Sequence, residues 1–165
     1  MTMKNAIDKN ASSAEETDLL SFFEAGCELI TAKQRPDLLW LHSRGMSGPW
    51  DAPLEMRFRF AGEEDPDPPT FVTPPETLLG NNFDPDEPLG FVQAYAAQVQ
   101  VADFGLGLLC DALLSHPLAE QTLFVLGSPR GYPLGEHRRV GPCDQALYGE
   151  LLQIPLLVQF PGGNH

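Results

Sequence analysis

The sequence predicts an α/β protein of three layers, with helices on both faces of a mostly parallel sheet. Three observations carry that expectation. Short continuous apolar runs, at 38–41, at 122–127 (TLFVLG) and at 154–160 (IPLLVQF), have the length and composition of strands buried on both faces. Segments with helical spacing accompany them, at 14–33, at 89–116 and around 144–152. The resulting order of helix, strand, loop, helix, strand, helix, strand is the alternation of crossover helices laid over parallel strands.

Each element has a local justification. Residues 1–13 are polar and read as a flexible N-terminal tail, ahead of one domain over 14–165. Ser13 and Glu16 stand at capping-box spacing, ahead of Leu19, Leu20, Phe23, Cys27 and Ile30 at helical intervals. Pro36 closes that helix because it bars the preceding residue from the helical region. The run 38–41 ends in polar residues and Gly45, and Gly48, Pro49 and Pro53 make the next stretch turn-like. Residues 62–88 hold seven prolines and eight acids with no lysine or arginine, so a loop without regular structure is expected there. From 89 to 116, Val92, Tyr95, Val99, Ala102, Leu106, Leu109 and Leu113 form an apolar stripe at alternating three- and four-residue steps. Gly105 and Gly107 weaken its middle, each by about 1 kcal/mol relative to alanine, and close packing against a neighbour is the simplest reason for them.

Composition limits the functions. Of 165 residues, 10 are basic and 23 acidic, a net charge of −13. Such a chain is repelled by phosphate backbones and by anionic bilayers, which argues against nucleic acid and membrane partners. Cys27, Cys110 and Cys143 are odd in number and lack a C-x-x-C spacing, so neither a disulfide framework nor a zinc knuckle is expected. The first residues carry no apolar core of a signal peptide, and no run of about 18 apolar residues is present. The expectation is a cytoplasmic protein.

Four patches in order resemble the sulfatase family, within the alkaline-phosphatase-like superfamily. LLWLHSRGMSGPWDAP (38–53) is similar to the family's strand ending in a P-H-x-P element. YAAQVQVADFGLGLLCDALL (95–114) resembles its Y-x-x-x-V-x-x-x-D-x-x-x-G-x-x-L helix, with Asp103 at a structural position. TLFVLGSPRGYPLGEH (122–137) looks like T-x-V-x-F-T-S-D-H-G-x-x-L-G-E-H, and LYGELLQIPLLVQFPGG (147–163) like Y-E-E-x-x-R-V-P-L-I-x-x-P-G. The resemblance spans about 36–163 and implies a fragment of an alkaline-phosphatase-like α/β fold.

It also implies an activity, sulfate-ester hydrolysis by a formylglycine nucleophile beside a bound calcium or magnesium ion. Residue by residue, that chemistry is replaced. The family's metal-binding aspartate falls on Pro129 and its neighbour on Arg130. Its sulfate-contacting histidine falls on Ser47, and its lysine beyond L-G-E-H on Pro142. The formylglycine motif and the first pair of metal aspartates belong to a region expected to lie upstream. No catalytic residue, metal ligand or cofactor is therefore expected, and the implied role is non-catalytic binding or assembly. The alternative is a sulfuric-ester or phosphoric-ester hydrolase completed by another chain.

Four residues remain as an anion-binding candidate: Arg44 at the end of the first apolar run, and Arg130, His137 and Arg138 beyond the second. Ligands in open parallel sheets bind outside the carboxyl ends of strands, and guanidinium forks match oxyanions. Against this stands the simpler reading that these residues, with Arg139, pair with the abundant carboxylates and order their loops. The missing upstream part further predicts an open sheet edge, covered by a helix, a second copy or a partner chain.

Overall fold

The computed structural model describes residues 9–34, 36–142 and 146–163. Four α-helices and four short strands lie along them. α1 spans Asp18–Thr31, α2 Leu54–Phe58, β1 Thr77–Leu78 and α3 Asp86–Leu114. Then come β2 at Phe124–Gly127, β3 at Arg139–Val140, α4 at Gly149–Leu152 and β4 at Leu156–Gln159.

The first helix starts later than its sequence signal suggests. Ser13 makes no side-chain cap, and Ala14–Glu16 form a short 3-10 turn. Thr17 caps α1 instead, its Oγ1 accepting from the Leu20 amide at 3.2 Å and donating to the Ala14 carbonyl at 2.7 Å. A hydroxyl inside the turn can bridge both, which Ser13, four residues further out, cannot. Within the expected tail, Asn10 and Ala11 are tied down, donating to the carbonyls of Ala52 at 2.9 Å and Asp51 at 2.8 Å.

α1 packs along α3, and the interface explains why the buried face of α3 is not the stripe of large residues. The face turned inward carries Ala94, Ala97, Gln98, Val101, Gly105 and Leu109, while Val92, Val99 and Phe104 are exposed. Small residues let the two helices approach closely. A Cβ at Gly105 would overlap the Phe23 ring, so this glycine is the notch into which the α1 aromatic fits. Leu19, Leu20, Ala52, Met56, Ala97 and Val101 form the core between α1, α2 and α3. By length and apolar composition α3 is also long enough to cross a bilayer, which the count of contiguous apolar residues does not reveal.

A polar centre ties this core to the loops. Trp50 is fully buried amid Phe71, Tyr95 and Tyr132, with ring centroids 5.3–6.0 Å away. Arg57, equally buried, donates to the carbonyls of Pro69 (2.5 Å), Trp50 (2.6 Å) and Phe71 (2.9 Å). Burial pushes its guanidinium down to about 10, against the attraction of Asp51. Asp51 accepts from the Asp18 amide at 2.8 Å, satisfying an orphan donor at the start of α1, and from Gln98 Nε2 at 3.4 Å. Gln98 Oε1 in turn accepts from the Ala52 amide at 3.0 Å.

The acidic, proline-rich segment 62–88 is more ordered than its composition predicts. Trp50 donates its amide to the Val72 carbonyl at 2.8 Å, and Val72 and Leu79 are buried. β1 pairs antiparallel with β3, Thr77 opposite Val140 and Leu78 opposite Arg139. The last residues of the segment already belong to α3. Its charges stay in water while its few apolar side chains and its carbonyls turn inward.

The sheets depart furthest from expectation. Among the described residues, both strand pairs are antiparallel and two-stranded, β1 with β3 and β2 with β4, so the expected mostly parallel sheet is not formed by them. The run 38–41 is not a strand. It is irregular, seats Leu41 in the gap left by Gly26 on α1, and leaves Leu38 and Trp40 each 81% exposed. Parallel strands need neighbours on both sides and cover on both faces, and the described residues supply neither to this run. Trp40, Val125, Leu157 and Val158, expected as sheet core, are exposed for the same reason. The short helix expected near 144–152 is reduced to α4, with residues 144 and 145 outside the described part.

Candidate functional site

The loop that follows β2 carries most of the candidate residues, and its backbone is under strain. His137 and Arg138 both have positive φ, 54° and 61°. Two successive non-glycine residues in the left-handed region cost on the order of 1–2 kcal/mol each, so surrounding contacts must hold them. Those contacts are visible. Gly131 lies so close to α4 that a Cβ would collide with the Glu150 carbonyl, and its amide donates to Leu151 at 3.2 Å. Tyr132 donates its hydroxyl to the Pro75 carbonyl at 2.7 Å, and burial pushes that phenol up to about 12. Glu136 accepts from the Leu134 amide at 2.7 Å, and the Leu79 amide donates to the Arg138 carbonyl at 2.7 Å.

Each candidate side chain takes its partner in a different place. Arg44 bends back to the Ser47 carbonyl of its own turn, at 3.5 Å. Arg130 is exposed beyond β2, and its carbonyl accepts from the Ser128 hydroxyl at 2.7 Å. His137 stacks on Tyr148, with centroids 4.1 Å apart and planes at 12°, and its Nε2 lies 3.9 Å from Glu150 Oε1. Arg138 donates to Asn81 Oδ1. Arg139 donates to the Pro142 carbonyl and, at 3.2 Å, to Glu76. The last two arginines thus fasten the strained loop to segment 62–88, and Pro142 serves as a backbone acceptor.

The positions that the family resemblance assigns to a metal ion do not suit one. The Pro129 side chain offers no donor atom, Arg130 is a permanent cation, and the neighbouring Ser128 hydroxyl is spent on a carbonyl. Ser47 lies exposed in the 3-10 turn Gly45–Ser47. Among the described residues, no group of three or more His, Cys, Asp or Glu side chains converges on a common point. The chemistry a divalent cation would bring to a sulfate ester is therefore not supported by these side chains.

Cys27 and Cys110 are ordinary half-buried side chains. Burial pushes the thiols of Cys27 and Cys110 up, away from the reactive thiolate. Cys143 and His165 lie outside the described residues. Sequence reasoning missed the Asp51–Gln98–Arg57 centre, because Asp51 and Gln98 stand at positions the family patterns leave open and Arg57 lies outside them. The signal available was an isolated W-D-x-P followed by an arginine, in a chain with only ten basic residues.

An α/β chain with an arginine-bearing loop at the carboxyl end of a strand is the class of protein that these features define. The chain belongs to the sulfatase family, whose description, Sulfatase, matches residues 3–165. A relative from Formosa agariphila, itself named Sulfatase, is 49% identical over 73 residues. That match covers 44% of this chain and 14% of the relative. No solved structure matches the chain. The family implies an alkaline-phosphatase-like α/β fold, within which the described strands form short antiparallel pairs.

Proposed function

We propose that this chain is a non-catalytic member of the sulfatase family that acts by binding and assembly. The observation that carries the reading is the replacement at 129 and 130, where a proline and an arginine stand at the positions the family resemblance gives to metal ligands. Ser47 and Pro142, at the sulfate-contacting and lysine positions, point the same way. Arg44, Arg130, His137 and Arg138 would give any remaining ligand site an appetite for small oxyanions, although Arg138 already has Asn81 as a partner. The three-layer, mostly parallel sheet belongs in this reading to the complete family domain, of which this chain holds the β2–β4 pair.

A second reading, an ester hydrolase completed by another polypeptide, is favoured by one fact: the aligned region amounts to only 14% of a relative named Sulfatase. The two are separated by assaying the purified chain with an aryl sulfate and an aryl phosphate at excess calcium or magnesium, alongside elemental analysis. The expected result is no stoichiometric metal and no turnover above buffer. Turnover that disappears in Arg130→Ala would establish the hydrolase instead.

A further inference from the structure

The β2–β4 pair has one face made of nothing but apolar side chains. In an antiparallel pair, residues directly opposite each other share a face, and successive residues alternate. Val125 stands opposite Val158, and Gly127 opposite Leu156. Continuing the register by one residue places Leu123 opposite Phe160 on the same side. All five side chains are exposed, from 41% for Val158 to 70% for Leu156. The opposite face is more mixed: Phe124 and Leu126 are half-buried, Gln159 is polar, and Leu157 is 56% exposed.

We infer that the Leu123–Val125–Leu156–Val158–Phe160 face is a homodimer interface, packed against the same face of a second copy. Three features favour a second copy as the occupant. The first is size. Five such side chains at these exposures present roughly 500 Å², toward the upper end of the largest apolar patch a typical monomer leaves bare. With the adjoining Leu152 and Ile154, also exposed, the surface approaches the ~800 Å² that each partner contributes to a standard interface.

The second feature is charge. The chain carries a net −13, yet 121–129 contains no charged side chain and 147–163 contains only Glu150. Self-association through an acid-bearing surface would bring acids against acids, and this face avoids that repulsion. The third is symmetry. A face with no hydrogen-bonding or charged side chain asks for no complementary set, so a two-fold axis can lay it on itself, as isologous dimers require. Two such pairs would stack about 10 Å apart, with ten apolar side chains interdigitating between them.

This deepens the assembly part of the proposed function by naming the partner, and its fate is separable from that of the non-catalytic part. The test is the mass of the 165-residue chain by light scattering and sedimentation across a micromolar dilution series. The expected species is twice 18.1 kDa. Because the side chains are exposed in the single chain, Val125→Lys with Val158→Glu should fold, as judged by an unchanged circular dichroism spectrum, and weaken dimerisation at least 100-fold. Gln159→Lys, on the opposite face, should leave it unchanged. A wild-type monomer at high micromolar concentration overturns the inference, as does a dimer indifferent to the double substitution, or polydisperse aggregate. Ester turnover in the assay above would overturn the functional reading and leave the dimer untouched.

Discussion

The α1–α3 half and the β2–β4 pair treat polar and apolar groups in opposite ways. Around Trp50 the chain buries charge: Arg57 donates to three carbonyls and Asp51 accepts two hydrogen bonds, amid aromatic and small apolar side chains. Along β2 and β4 it exposes leucine, valine and phenylalanine with almost no charge nearby. The first half is closed by its own contacts, and the second is a surface shaped to be covered. The contrast shows why hydrophobic content alone misplaces the core of this protein.

The sharpest way to break that contrast is to remove the buried cation. Arg57→Ala leaves three carbonyls short of a donor, and about 3 kcal/mol or more of stability should be lost, read from urea midpoints. Matched truncations compare the two regions directly. Leu20→Ala, fully buried, should cost about 3 kcal/mol. Leu156→Ala, 70% exposed, should cost less than about 0.5 kcal/mol in the dissociated chain. Equal losses would show that the sheet face is already covered within a single chain.

Within α3 the two central glycines should move stability in opposite directions. Gly105→Ala drives a methyl into the Phe23 ring and should destabilise by about 1–3 kcal/mol despite better helix propensity. Gly107 faces open space, so Gly107→Ala should stabilise by roughly 1 kcal/mol. Thermal midpoints of the two variants suffice.

The smallest effect concerns pH. Burial pushes the Asp51 carboxyl up from the usual aspartate range, more than its hydrogen bonds pull it down. The folded state therefore binds the proton more tightly than the unfolded one. Its stabilising contribution is complete below the unfolded pKa and is lost as pH rises through the folded value. Asp51→Asn should flatten stability against pH in the mildly acidic range, measured by denaturant titration at successive pH values.

Much of the helical part was legible in the sequence, and little of the sheet. α1 and α3 follow from periodicity, because 14 and 29 residues of helical pattern leave few alternatives, although α1 already ends at Thr31, short of Pro36. The inward face of α3 was misread because the pattern ranks residues by hydrophobicity, whereas the α1 contact selects them by size: Ala97 and Gly105 go in, Val99 stays out. The runs 122–127 and 154–160 do contain strands, but pairing direction and cover are non-local properties that composition does not encode. At the site, the loop after β2 was found through its family motif. The roles of Arg138 and Arg139 in holding that loop depend on Asn81 and Glu76, more than fifty residues away.

The arrangement at Arg57 also says something about how a proline-rich stretch can be packed at all. Every proline contributes a carbonyl without an amide hydrogen, so such a stretch is an excess of acceptors looking for protons. A helix or strand nearby has its own donors committed and cannot supply the shortfall. A guanidinium carries five N–H bonds on one planar head, which makes it the side chain best matched to that imbalance. Lysine at 57 would keep the charge but bring fewer donors and no fixed fork. The part of this chain that looks least structured by composition is therefore the part whose anchoring demands the most exacting side chain.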